Sequence, residues 1–206
     1  MWRHSFDGFR FDIFAFIGRN RFKFLLAFLL AAAGFVFGLI NAFARVTTED
    51  ALLAVKNYGI VRLSLGERSF FGYWMGRFFL HFLLIAVITL LGVRELLAYL
   101  SYLVLVIYAY QYAFLIGAVF CYAGLAALPV MLACLIPLFI IFMCILLYFS
   151  VFILCFSRAS RVEALRDFSY YAHSVKAPLC LASGIIFAVS LIESVLAALL
   201  TSGIVL

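Results

Sequence analysis

The sequence has few charged residues, only three prolines and no closely spaced pair of cysteines. Of its 206 residues, 12% are charged and 69% are hydrophobic. A soluble domain has roughly half of its residues apolar and about a quarter charged, so this composition excludes a water-soluble globule. Aromatic residues make up 18% of the chain, which excludes a disordered or collagen-like chain. We therefore expect an integral membrane protein with one membrane domain.

Motifs of enzyme catalysis are also missing. The chain has no Walker loop, no HExxH or GxSxG motif and no usefully spaced pair of carboxylates. Its histidines, His4, His81 and His173, are far apart in sequence. We therefore predict no catalytic residue and no cofactor, and we expect that the protein is not an enzyme.

The cysteines and the basic residues fit the same class of protein. Five cysteines are scattered through apolar stretches without a CxxC pair, so we interpret them as small hydrophobic residues rather than metal ligands or redox groups. The net charge of +6 comes from Lys and Arg residues between apolar runs. At such positions they set membrane topology and contact anionic lipid headgroups, so we expect a lipid bilayer and no nucleic acid as partner.

Hydropathy predicts an all-α polytopic membrane bundle of about five transmembrane helices plus interfacial or re-entrant helices. The expected spans lie near residues 24–43, 70–92, 96–120, 137–156 and 178–200, and each is long enough to cross about 30 Å of hydrocarbon. We expect residues 24–206 to form a single transmembrane domain. Residues 1–23 precede it, either as a cytoplasmic interfacial helix or as a lipid-associated tail.

Two GxxxG pairs predict close helix packing. Gly34 and Gly38 lie in the first span, and Gly72 and Gly76 lie in the second. Glycines at this spacing let another helix approach closely, either within one chain or in a homo-oligomer. Arg77, one residue after the second pair, is expected to snorkel to the near end of its span.

The 36 residues from Cys121 to Phe156 carry no charge. This stretch is too long for one ordinary membrane helix and too short for two helices with a turn. Gly124, Pro129 and Pro137 supply helix breaks, because proline removes an amide donor and clashes with the preceding turn. We expect a short interfacial or re-entrant helix before Pro137. The total number of spans is then five or six.

The outer segment 45–69 has an amphipathic pattern. Its apolar residues alternate with polar ones in a helical rhythm; they are Leu52, Leu53, Val55, Ile60 and Leu63. This face fits either a docking surface for a partner or a helix lying on the membrane. The distribution of Lys and Arg places the N-terminus in the cytoplasm and the C-terminus outside the cell membrane.

Glu193 is the one acidic residue deep within a predicted span. An ionisable group inside a membrane is a candidate functional residue by default. His81 and Gln111 are its possible partners, and a His81–Glu193 contact would suit a proton relay. The alternative is a hydrogen-bonded carboxyl in the bundle interior.

The order of these features resembles the stage II sporulation protein M family over about residues 20–200. The resemblance rests on the Gly34/Gly38 span, the outer segment, the tight turn after Leu90-Leu91-Gly92, the break at Gly124, Pro129 and Pro137, and the Leu147–Ser150 stretch. The chain departs from the family at one element. Many members carry His-Gly-x-x-Glu after the proline, whereas Val130 and Leu138 follow the two prolines here.

The resemblance implies a non-enzymatic scaffold in the cell membrane that organises a peptidoglycan-remodelling complex, as in engulfment during sporulation, with wall hydrolases as extracytoplasmic partners. The residues also allow a permease subunit of an ABC-type or other small-molecule transporter. Its path would follow the broken segment, and an ATP-binding subunit would contact residues 157–177. Lipid handling by the aromatic spans is a third interpretation.

Overall fold

The computed structural model describes residues 13–45, 47, 69–128, 131–159 and 168–201, and this part of the chain is helical without strands. The helices are α1 (Ile13–Arg19), α2 (Arg21–Arg45), α3 (Phe70–Leu91), α4 (Glu95–Ala98), α5 (Leu100–Ala123), α6 (Ile136–Ala159) and α7 (Phe168–Thr201). Five segments are long and apolar enough to cross a membrane: Arg21–Arg45, Phe70–Leu91, Glu95–Cys121, Ile136–Ser157 and Val175–Leu196. The predicted all-α polytopic bundle is confirmed.

The last helix begins earlier than predicted. We expected a span starting at Pro178, whereas α7 begins at Phe168 and contains Pro178 in its interior. An internal proline leaves one carbonyl without its helical donor, which membrane helices tolerate when neighbouring groups or local backbone adjustments satisfy that carbonyl. Part of the polar segment 157–177 is therefore helical.

Helices α2 and α5 form the closest packed pair in the bundle. The buried face of α2 consists of small residues, Ala27, Ala31, Gly34, Gly38 and Ala42. A Cβ atom on Gly34 would lie 2.6 Å from the carbonyl oxygen of Val106, and one on Gly38 would overlap the carbonyl oxygen of Tyr110. These two glycines therefore let the backbones of α2 and α5 meet directly.

The second GxxxG pair does not pack against the described chain. Gly72 and Gly76 are exposed, and a Cβ atom on Gly76 would meet nothing within 4 Å. Of the two alternatives for this pair, packing within the chain is not seen among the described residues, because the buried face of α3 is offset from the pair by one residue. Packing in a homo-oligomer stays a prediction. That face consists of Tyr73, Arg77, His81, Ile85 and Ile88.

The turn after α3 is held by α6 and α7. Gly92 ends α3, and a Cβ atom there would overlap Ile153 of α6 and the hydroxyl of Tyr171 of α7. The Tyr171 hydroxyl donates a hydrogen bond to the carbonyl oxygen of Thr89. Burial raises the pKa of Tyr171 above its ordinary value, so this hydroxyl stays protonated and keeps its donor role.

The connection between α5 and α6 is interrupted. Gly124 ends α5 with a positive φ of 57°, and a 3₁₀ turn follows over Gly124–Ala127. A π-helical turn over Met131–Leu135 leads into α6. Pro137 is the second residue of α6, and it has no N–H to donate to the π-helical turn that precedes it. Pro129 lies outside the described residues.

Two other predicted segments are described only in part. The residues of the outer amphipathic face, namely Leu52, Leu53, Val55, Ile60 and Leu63, lie outside the described residues. Of the N-terminal segment 1–23, the structure describes residues from Ile13 onward. There, the ring of Phe16 in α1 contacts the rings of Tyr148 and Phe152, which places α1 against α6.

Candidate functional site

A buried ion pair joins α3 to α7. The Nε atom of Arg77 lies 2.8 Å from Oε1 of Glu193. Arg77 is 8% exposed and Glu193 is 1% exposed. The prediction that Arg77 snorkels to the end of its span is therefore wrong. An arginine that turns inward to a carboxylate gains a charge-assisted hydrogen bond, which no lipid tail can supply.

Two tyrosines extend this pair. The hydroxyl of Tyr73 donates to Oε1 of Glu193 over 3.3 Å, so this oxygen accepts from two side chains of α3. On the other side, Nη2 of Arg77 donates to the hydroxyl of Tyr112 over 3.3 Å. The guanidinium thus connects α3 with both α7 and α5.

His81 continues the cluster by one helical turn. Its Nδ1 lies 2.7 Å from the backbone carbonyl oxygen of Arg77. A carbonyl only accepts, so Nδ1 carries the proton of this hydrogen bond. Nε2 lies 3.0 Å from the hydroxyl of Tyr108, which donates to it in the neutral ring. The imidazole also stacks on Phe142 of α6, with the ring centroids 3.6 Å apart.

The spacing along the helices explains why these side chains meet. Tyr73, Arg77 and His81 are separated by four residues each, so they share one face of α3. Tyr108 and Tyr112 have the same spacing on α5, and Glu193 comes from α7. The resulting polar cluster consists of Tyr73, Arg77, His81, Tyr108, Tyr112 and Glu193, and Phe142 covers it from α6.

The structure brings some of the predicted polar residues together and leaves another apart. Glu193 and His81 both belong to the polar cluster, and Arg77 links them. Gln111 is exposed, so it does not line the buried interior; its neighbour Tyr112 takes the position on α5 that faces Arg77. Sequence reasoning missed Arg77 and the tyrosines. The signal that could have identified them is the spacing of four residues between polar side chains, for Tyr73 and Arg77 on α3 and for Tyr108 and Tyr112 on α5.

The arrangement restricts what the polar cluster can do chemically. An arginine side chain stays protonated in proteins, so its guanidinium does not pass a proton on from Glu193 towards His81. The cluster instead supplies directional bonds among three helices in the interior of the bundle. Among the described residues, no group of His, Cys, Asp or Glu side chains is arranged to hold a metal ion.

An open groove lies on the surface of α2, away from the polar cluster. Its volume is about 540 Å³, and it is lined by Val36, Leu39, Ile40, Phe43 and Ala44. The lining side chains are all apolar, so the groove offers no polar group to orient a ligand. It fits the acyl chains expected around a membrane span.

No family description, curated protein or solved structure matches this chain. The five apolar helices place it among integral membrane proteins.

Proposed function

We propose that the protein is a non-enzymatic scaffold of the cytoplasmic membrane that recruits or organises a peptidoglycan-remodelling complex. The observation that supports this proposal is the polar cluster around Arg77 and Glu193. Its hydrogen bonds join α3, α5 and α7, and His81 stacks on α6. A directional network inside a bundle favours one arrangement of the helices. A scaffold needs such a constant arrangement, because it must present its connecting segments in fixed positions.

The partners are expected at the outer segment 45–69. The distribution of basic residues predicts that this segment lies on the extracytoplasmic side, where wall hydrolases act. The resemblance to the stage II sporulation protein M family implies the same class of partner and a role in engulfment. The segment is anchored at one end by α2 and at the other by α3, so its two attachment points are fixed by the bundle.

Co-purification of wall hydrolases with the full-length chain from native membranes tests the proposal. We expect these hydrolases to be lost when Leu52, Leu53 and Leu63 are replaced by serine, since the substitutions remove the apolar face. A matched control replaces Leu125 and Leu128, two exposed leucines of the α5–α6 connection, and should retain the hydrolases. Unchanged association in the Leu52/Leu53/Leu63 variant would refute docking at the outer segment.

The interrupted connection between α5 and α6 favours one alternative, a permease subunit. Transporter sites often use discontinuous helices, and π-helical turns such as Met131–Leu135 occur frequently at functional sites. In this case an ATP-binding subunit would contact residues 157–177. Co-purification of a cytoplasmic ATPase, or thermal stabilisation by a small-molecule substrate, would favour this alternative over the scaffold.

A further inference from the structure

A second group of polar side chains lies at the end of the bundle where α2 begins and α6 ends. The Nζ atom of Lys23 lies 3.1 Å from Sγ of Cys155 and 3.3 Å from Oδ1 of Asn20. The Cys155 thiol donates to the same Asn20 oxygen over 3.1 Å. An amine, a thiol and an amide oxygen therefore form a closed triangle, which we name the amine–thiol triad.

Each member of the triad is held in place by its surroundings. Asn20 lies between α1 and α2, and its Nδ2 donates to the carbonyl oxygen of Phe16 over 3.1 Å. Phe16 in turn packs against the rings of Tyr148 and Phe152 on α6. Cys155 and Lys23 are half-buried. The contact between the amine and the thiol thus belongs to the packing of α1 and α2 on α6.

The hydrogen-bond pattern orients the two reactive atoms towards each other. The thiol proton is directed to Asn20, so a sulfur lone pair faces the Lys23 nitrogen. The other described cysteines differ, since Cys121, Cys144 and Cys180 are exposed on the apolar surface. Cys155 thus has polar partners, which the interpretation of the cysteines as small hydrophobic residues did not include.

We propose that Lys23 and Cys155 form a covalent N–O–S bridge when dioxygen is the oxidant. One N–H bond, the S–H bond and the O–O bond break, and one N–O bond and one S–O bond form. The neutral amine, the thiol and one dioxygen molecule give the bridge and one water molecule. Nitrogen and sulfur each lose two electrons, and the two oxygen atoms gain these four electrons. A separation of 3.1 Å leaves room for one bridging oxygen after a small movement of the lysine side chain.

The bridge would join two helices whose linked residues are 132 positions apart in sequence. It is reversible: four thiol equivalents return the free amine and the free thiol, with one water molecule and two disulfides as the other products. The triad is thus a redox-sensitive covalent link between the beginning of α2 and the end of α6. Dioxygen reaches it readily, because a small apolar molecule partitions into the membrane.

Mass spectrometry of chymotryptic peptides from the full-length protein tests the bridge. One sample is purified in air and the other without oxygen in the presence of dithiothreitol. In the aerobic sample we expect a joined pair of peptides containing Lys23 and Cys155, with one oxygen more and two hydrogens fewer than their sum. Dithiothreitol should release the two peptides.

Three variants make the assignment specific. Lys23→Arg and Cys155→Ser should each abolish the joined peptides, whereas Cys144→Ser, which alters an exposed thiol of the same helix, should retain them. A joined pair without the extra oxygen would refute the N–O–S bond. Recovery of Cys155 only as the free thiol or as a sulfinic or sulfonic acid after exposure to air would refute the link to Lys23.

Discussion

Replacing Glu193 by leucine leaves the Arg77 guanidinium inside the bundle without its carboxylate, and we expect a large loss of stability. At a separation of 2.8 Å and an effective dielectric constant of about 20, two unit charges attract each other by about 6 kcal/mol. The cost of removing both groups from water opposes this attraction, so the net value of the pair is smaller. Removing one partner leaves the cost of burying the other, which is about 3–5 kcal/mol in buried pairs.

The same reasoning predicts that replacing Arg77 as well restores the stability lost by Glu193→Leu. Arg77→Met alone should also lower the free energy of unfolding by about 3–5 kcal/mol, because the Glu193 carboxylate then lies buried without its cation. The double variant has no buried charge at this position. We expect its stability to be close to that of the parent protein, with a coupling energy of about 3 kcal/mol or more.

Reversible unfolding in mixed detergent micelles, followed by the fluorescence of Trp2 and Trp74, provides the free energies for this cycle. A control cycle combines Glu193→Leu with Ser101→Ala. The Ser101 hydroxyl donates to the carbonyl oxygen of Ala98, within its own chain segment and away from Glu193, so these two costs should add within about 0.5 kcal/mol. A coupling energy equally small for Arg77 and Glu193 would refute the ion pair as a stabilising contact.

Three further predictions concern backbone contacts and use the same unfolding measurement. Gly38→Ala should destabilise the bundle by about 1–3 kcal/mol, because the new Cβ overlaps the Tyr110 carbonyl. Gly76→Ala should stabilise α3 by about 0.5–1 kcal/mol, because there is open space around this residue. Equal effects of the two substitutions would contradict the packing of α2 against α5. Gly124→Ala should cost about 1–3 kcal/mol, since the positive φ is strained for alanine; an unchanged stability would show that the turn relaxes. Tyr171→Phe should cost about 1 kcal/mol by removing the bond to Thr89, and a neutral outcome would mean that this bond is exchanged for water.

Much of the fold could be predicted from the sequence, because membrane spans are recognisable as long runs of apolar residues. The ends of α2, α3 and α6 lie close to the predicted positions, since charges, Gly92 and Pro137 mark them. The start of α7 could not be predicted in this way. In a sequence, a proline usually indicates a helix boundary. Pro178 instead lies inside α7, in surroundings that tolerate it.

The candidate site was harder to predict than the fold. Glu193 stood out as an intramembrane carboxyl, but its partner depends on how two distant helices face each other. Arg77 lies within reach of a span end, so its sequence position fits snorkelling as well as an inward turn. The offset that buries Arg77 and exposes Gly76, one residue earlier, is set by the packing of α3 against α7. No pattern within α3 alone determines that offset.

The ion pair also has a consequence for the order in which the chain is made. Glu193 is synthesised 116 residues after Arg77. At about 5–20 residues per second, the arginine exists for roughly 6–23 s before its carboxylate. During this time α3 holds an arginine without its carboxylate, and the position of Arg77 in the first third of α3 lets its side chain reach the membrane interface by snorkelling. The inward position of Arg77 is therefore completed only when α7 arrives, and α7 fixes the side chain of a segment made much earlier.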